Sequence, residues 1–379
     1  MKAFVFTDES LRAEAGRFVW LAIDTEKEQN APVQEKYPID AWPTFLVVDP
    51  KDERVALRWV GSATVAQLRK ILDDGRLAVT GSPSGGNADA AFASAERLYA
   101  ARDFPAAAKA FQESLRLAAP SWPRYSRAIE SLLFALSKAG DCATSLEVAR
   151  AALPRLRETP SVLTIAATGL DCAQQAPATD PARGERIAFF EKAAREAIAS
   201  PKVLAAADDR SGLYAVLVEA RKDAKDEAGA RKTAAEWALF LEGEAARAKR
   251  PEARTVFDSH RLGAYMEMGE PQRAIPMLEA SERDFPGDYN PPARLAAAYK
   301  EMKRWDEALA ATDRALARAY GPRTLLILRT RADIQSARGD KAGERATLER
   351  ALKTAEGLPA GQRSERMIAA VRQRLDALK

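Results

Sequence analysis

Two cysteines, Cys142 and Cys172, and one histidine, His260, are the only thiol and imidazole side chains in the chain. Disulfide exchange needs a thiolate, activated by a helix N-terminus or a nearby cation, and a second cysteine close by to resolve the mixed disulfide. Cys142 and Cys172 lie 30 positions apart, far from a C-x-x-C spacing, and read as buried structural thiols. A lone histidine cannot assemble a His/Cys metal cluster, so His260 reads as structural. Neither a phosphate-binding glycine loop nor a G-x-S-x-G elbow follows a strand, and Ser84-Gly85-Gly86 adjoins no strand–helix unit. The residue types point to no catalytic residue, no metal and no cofactor.

Bulk composition narrows the class further. Fifty-eight basic residues against 54 acidic ones leave +4, with the signs interspersed as in Glu96-Arg97 and Asp313-Arg314. Nucleic-acid binding, which needs a concentrated basic footprint, is therefore not expected. No stretch approaches the roughly 18 apolar residues of a membrane span. The opening residues, Met1 to Glu9, lack the pattern of a signal peptide, and the compartment stays open. A chain of 379 residues exceeds what one core usually holds, so a small domain with a larger partner or an array is expected.

The first eighty residues read as α/β. Phe18-Val19-Trp20-Leu21-Ala22-Ile23 is a continuous apolar run suited to a strand buried on both faces, ending at Asp24. Asn30 is placed to cap a short helix with Pro32 in its first turn and Val33 and Tyr37 on one face. Trp42-Pro43 precedes a strand, Thr44 to Val48, closed by a turn at Asp49-Pro50-Lys51-Asp52 and paired with Arg54 to Gly61. Thr64 to Leu72 is an amphipathic helix with Val65, Leu68 and Leu72 on one stripe and Gly75 just past its end.

This order, a strand to Asp24, a helix with Tyr37-Pro38-Ile39, then Trp42-Pro43-Thr44-Phe45, a paired strand, Gly61 and a last helix, resembles the second half of a thioredoxin-like domain. The resemblance implies that Pro43 follows a cis bond and faces a substrate at the redox centre. It also makes Met1 to Phe6 the tail of the redox helix, so that the C-x-x-C and the central strand would precede Met1. The strands at Phe18 to Ile23 and Thr44 to Val48 would then keep unpaired edges, and the remnant would be marginal by itself. Asp24 reads as a strand end rather than the buried acid of such a centre.

Thr80 to Asn87 is a Gly/Ser/Pro run expected to act as a flexible linker. From Ala88 onward the pattern is Ala-rich helix at period 3.6. Gly269-Glu270-Pro271-Gln272-Arg273-Ala274, Lys303-Arg304-Trp305-Asp306-Glu307-Ala308 and Gly339-Asp340-Lys341-Ala342 align at spacings of 34 and 36, and Arg102-Asp103-Phe104 and Gly140-Asp141-Cys142 share the frame. With Leu295-Ala296, Tyr299, Ala308 and Ala315, and with Tyr265, Ala274 and Leu278 one repeat earlier, the segment resembles tetratricopeptide repeats. The pattern weakens between about 158 and 235, where Ala176-Pro177-Ala178-Thr179-Asp180-Pro181 interrupts it. Met367, Val371, Leu375 and Leu378 share one face of an end-capping helix.

The expected architecture is an α/β thioredoxin-like remnant at 1–79, a linker at 80–87, and an all-α superhelical solenoid at 88–379. Its expected function is protein interaction: a protein or peptide partner on the concave repeat surface, with Asn290, Lys300, Arg329 and Asp333 pointing inward from first helices and no redox activity. The alternative is a thiol–disulfide oxidoreductase whose C-x-x-C part is not in this sequence.

Overall fold

A computed structural model describes residues 5–39, 41–80 and 86–379. Helices dominate, at 71% of the chain. In chain order the elements are α1 (Ala31–Lys36), a hairpin of β1 (Thr44–Val48) and β2 (Val55–Val60), α2 (Val65–Thr80), α3 (Asn87–Ala100), α4 (Phe104–Leu117), α5 (Tyr125–Ala139) and α6 (Cys142–Leu156). There follow α7 (Ser161–Gln175), α8 (Arg183–Ala199), α9 (Ala207–Asp223), α10 (Glu227–Arg247), α11 (Pro251–Arg254), α12 (Asp258–Met268) and α13 (Ala274–Asp284). Last come α14 (Asn290–Glu301), α15 (Trp305–Leu316), α16 (Pro322–Arg338), α17 (Lys341–Glu356) and α18 (Glu365–Asp376).

The helical pairs are built on one turn used repeatedly. A helix leaves its last carbonyls without partners, and a residue in the left-handed region lets the chain fold back to satisfy them. Arg102, Gly140, Lys225, Gly269, Lys303 and Gly339 take that conformation, with φ between 56° and 84°. In each case the next residue's N–H reaches back five residues: Asp103 to Leu98 O, Asp141 to Leu136 O, Asp226 to Arg221 O, Glu270 to Tyr265 O, Arg304 to Tyr299 O and Asp340 to Gln335 O, at 2.8–3.0 Å. Where that next residue is aspartate, its carboxylate also caps the following helix: Asp103 accepts from Ala106 N, Asp141 from Thr144 N, Asp226 from Gly229 N and Asp340 from Gly343 N. These hydrogen bonds hold the Asp141 and Asp226 carboxyls below the usual range. The α7–α8 connection, Ala176 to Ala182, is longer and carries no such residue, which accounts for the weak repeat pattern there.

Small residues let the paired helices approach closely. Ala107, Ala128, Ala149, Ala274, Ala296, Ala308 and Ala315 are buried, and Phe111, Leu132, Leu170, Tyr265, Leu278 and Leu295 fill between them.

Two compact units result. One comprises Met1–Ala15 and Ala41–Trp237, the other Gly16–Asp40 and Ala238–Lys379, so the division falls within α10 and within the stretch read as one small domain. In the first unit the β-hairpin is antiparallel, Phe45 opposite Trp59, and packs on α2 and α3. Arg127 of α5 lies 4.4 Å over the Trp59 ring and donates to Arg58 O at 2.6 Å and to the buried Glu96 at 3.1 Å. Burial pushes the Glu96 carboxyl up despite Arg127. Asp209 accepts a hydrogen bond from Ser62, tying α9 to the hairpin's exit.

Several sequence expectations need correction. Phe18 to Ile23 forms no strand, and Val19 and Leu21 are 89% and 77% exposed. A strand is stable only with hydrogen-bonded neighbours, and β1 and β2 pair only with each other among the described residues. Gly75 does not stop a helix at Leu72: α2 runs on to Thr80, and Gly75 is buried where any side chain would meet Val47 of β1. Asn30 precedes α1 without capping it, its amide donating instead to Asp24 O at 2.8 Å. Of the expected redox-helix tail, residues 1–4 lie outside the described residues and Val5 and Phe6 are in a turn. Of the expected linker, residues 81–85 also lie outside, while Thr80 ends α2 and Asn87 opens α3.

A Cβ at Gly140, Gly269 or Gly339 meets no neighbour, so only backbone conformation sets the effect of substitution there. Gly140→Ala and Gly339→Ala should each cost about 1 kcal/mol, whereas Lys303→Gly should be neutral or stabilising. Urea unfolding of the full chain reads both, and equal losses for all three variants would contradict the turn assignment.

Candidate functional site

The predicted inward-facing residues do not converge. Asn290 opens α14 with its backbone and amide nitrogens both donating to Asp288 Oδ1 at 2.8 Å. Lys300 lies 3.7 Å from its neighbour Glu301, and Arg329 is exposed on α16. Asp333 pairs with Arg374 of α18, which also holds the buried Glu344, so this carboxylate serves the docking of the end helix. No hydrogen bond or ion pair among the described residues joins any two of the four.

The polar side chains that do converge on these repeats come from positions the repeat pattern did not single out. Tyr289-Asn290-Pro291 and Tyr320-Gly321-Pro322 each place a tyrosine two residues before a proline at the start of the consecutive first helices α14 and α16, and the two tyrosine rings meet edge to face at 6.0 Å. The Tyr320 hydroxyl donates to Asp24 Oδ2 at 2.7 Å and the Tyr289 hydroxyl to Glu26 Oε2 at 2.7 Å. Arg323, on the first turn of α16, donates from Nε to the other oxygen of Glu26. Gln362, beyond α17, reaches the backbone, its Nε2 donating to Thr25 O and Lys27 O at 2.9 Å each. Segment 24–36 of the second unit is thereby seated on its repeats.

The local backbone explains how two acids two positions apart reach neighbouring donors. Asp24 Oδ1 accepts from Glu26 N at 3.0 Å and Asp24 O from Lys27 N at 3.3 Å, making a turn rather than the end of a strand. Two glycines make room. Gly321, at φ +53°, sits where a Cβ would collide with Glu26 O, and a Cβ on Gly361 would collide with Ala31 O as α1 packs against residues 360–362. Beside the segment an open pocket of about 310 Å³ is lined by Lys27, Glu28, Tyr320, Leu358 and Gln362 among others.

Electrostatics keep the phenols as donors. The hydrogen bond to Asp24, with burial, pushes the Tyr320 hydroxyl up to about 12; burial and then the Glu26 carboxylate push Tyr289 up as well. A phenolate there would face a carboxylate at hydrogen-bond distance, so the neutral, donating form is favoured.

Pro43 follows a cis bond, the configuration the resemblance implies, and is half-buried beside the exposed Trp42, its carbonyl accepting from Gly61 N at 2.9 Å. The two thiols lie elsewhere, on α6 and α7. Both are free thiols, Cys142 half-buried with its Sγ donating to Gln175 Oε1 at 3.6 Å and Cys172 buried. Burial, with the influence of Cys142, pushes the Cys172 thiol up to about 12, leaving it almost no thiolate at neutral pH. Among the described residues no group of three or more His, Cys, Asp or Glu could hold a metal, and no helix is long and apolar enough to cross a membrane.

Two measurements check these environments. Iodoacetamide at neutral pH should alkylate Cys142 well ahead of Cys172 in peptide mass mapping, and equal rates would contradict the raised thiol. In an alkaline absorbance titration, the phenol lost in Tyr320→Phe should be one ionising near pH 12 rather than near its ordinary 10.0. Because the folded value is raised, the stability this phenol contributes is complete below pH 10.0 and is lost as pH climbs toward 12.

A tetratricopeptide repeat profile matches residues 265–332, which span α13, α14, α15 and most of α16. No curated protein matches the chain. Among solved structures the chain is similar to a tetratricopeptide repeat protein from Parabacteroides merdae, at 13% identity over 78% of this chain and 99% of that one, with a TM-score of 0.45. It is also similar to the TPR2AB domain of yeast Sti1 in a complex with pHSP90, at 16% identity over 77% and 100% of the two chains and a TM-score of 0.29. A third match is the Cut9–Hcn1 hetero-tetramer of the APC/C, at 13% identity over 80% of this chain and 59% of that one, with a TM-score of 0.29. The profile match and the recurring turns agree that the chain contains tetratricopeptide repeats.

Proposed function

We propose that this chain is a protein-interaction module whose repeats bind a protein or peptide segment on the surface of their first helices. The observation that carries the reading is the surface at Tyr289, Tyr320, Arg323 and Gln362, where two consecutive repeats already hold a peptide segment through its side chains and its backbone. Stacked repeats present such surfaces because each unit leaves one face for a ligand after packing on its neighbours. Lys300 and Arg329 add positive charge on the first helices α14 and α16 in this reading, apart from that cluster. Asn290 and Asp333 are not counted as ligand contacts, since both are engaged within the fold.

Residues 41–80 fit the thioredoxin-like resemblance in the order Trp42-Pro43-Thr44-Phe45, hairpin and helix, and we read them as a positioning or passive appendage without redox activity. The oxidoreductase alternative requires a C-x-x-C that the sequence does not contain.

Panning a displayed random-peptide library against the full chain should enrich binders, and Lys300→Glu with Arg329→Glu should weaken the acidic ones several-fold. Absence of any enrichment would overturn the interaction reading.

A further inference from the structure

Segment 24–36 is attached in an unusual way for a folded element. Its apolar flank is exposed, with Val19, Leu21 and Ile23 at 89%, 77% and 42%. Of residues 24–36 only Ala31 is buried. The anchors are polar and lie near the surface: two phenol–carboxylate hydrogen bonds, one arginine–carboxylate pair and two amide–carbonyl bonds. Groups of this kind exchange readily with water or with an equivalent ligand, because little apolar area is lost on release.

The receiving groups belong to the repeats. Tyr289 and Tyr320 precede the starts of α14 and α16, Arg323 projects from the first turn of α16, and Gln362 follows α17. They read two separate features. Gln362 takes backbone carbonyls, which any peptide supplies, while Tyr320 takes one carboxylate and Tyr289 with Arg323 takes a second, two residues further on. With a single arginine for two carboxylates, the neutral tyrosine donors accept acids without requiring a strongly basic patch.

We propose that this site is a receptor for an acidic segment of a protein partner, with two carboxylates two positions apart in a turn, and that Asp24-Thr25-Glu26 is a tethered competitor occupying it in cis. The proposal rests on the interaction reading above and names its ligand class and its regulation. A tethered segment acts at an effective concentration of about millimolar, so a partner of micromolar intrinsic affinity must displace it and binds the intact chain correspondingly more weakly.

The test is fluorescence anisotropy with a labelled peptide of residues 20–30, which carries Asp24, Glu26 and the carbonyls that Gln362 reads but stops before Ala31, titrated against the full chain. Asp24→Asn with Glu26→Gln removes the competitor's charges. Gly361→Ala dislodges the segment by its Cβ alone and leaves the receptor side chains in place, so it decides the matter should the double variant lose its helical circular dichroism. Both should bind the peptide at least about tenfold more tightly than wild type. Adding Tyr320→Phe and Arg323→Gln to either should remove that gain, and a peptide carrying Asn and Gln for the two acids should not bind. Folded variants that bind no more tightly than wild type, or binding indifferent to Tyr320 and Arg323, would overturn the receptor. Library binders that carry no paired acids would sink this inference and leave the interaction reading standing; a library without binders would remove both.

Discussion

Every helical pair in this chain depends on reversing direction without stranding the backbone groups at a helix end. The left-handed residue at Arg102, Gly140, Lys225, Gly269, Lys303 and Gly339 meets that constraint the same way each time, returning the next N–H to a carbonyl of the helix just ended. Three of the six are not glycine, so at those positions the hydrogen bonds and the packing of the following helix outweigh the local steric cost. Once the turn is set, the alanines at the helix contacts fix how closely the pair approaches, and the remaining apolar faces can be buried only by neighbouring pairs.

The N-terminal part of the chain is held by two different kinds of chemistry. The hairpin packs on α2 and α3 with Trp59 and Glu96 around the Arg127 guanidinium, both acid and base largely out of water. Removing one member of such a pair leaves a buried charge, which makes the arrangement costly to undo. Segment 24–36 is held instead by hydroxyl, amide and guanidinium donors at the rim of the repeats, with its apolar flank left in water. The first attachment is structural in character, and the second has the composition of a recognition site.

The tyrosines show how the same residue type serves both ends. Tyr265 and Tyr99 are core fillers, 2% exposed each, as the repeat pattern requires of them. Tyr289 and Tyr320 lie a few residues outside that pattern, ahead of their helices, and their hydroxyls reach acids of the distant segment 24–26, whereas the Tyr265 hydroxyl donates to Glu242 of α10. The shared Tyr-x-Pro arrangement before two successive first helices is the one sequence signal that sets them apart.

Much of the fold was legible in the sequence because it is local. Helix periodicity, the Gly-Asp and Arg-Asp turns, the hairpin at Thr44 to Val60 and the break at Ala176 to Pro181 all depend on residues within a few positions of one another. The failures came where a distant partner decides. Phe18 to Ile23 has the composition of a buried strand, but pairing needs a neighbouring strand and none of the described residues supplies one. Gly75 has the look of a helix stop, yet close approach of Val47 uses its missing side chain inside α2. The acids at 24 and 26 and the donors that receive them are separated by 263 to 297 positions for Tyr289, Tyr320 and Arg323, so no spacing rule relates them. By itself the sequence determined a repeat array and its turns, since each repeat encodes its own geometry. Which carboxylate meets which phenol, and whether an apolar run is core or surface, only the tertiary structure decided, because such matches exist only after distant parts of the chain have been brought together.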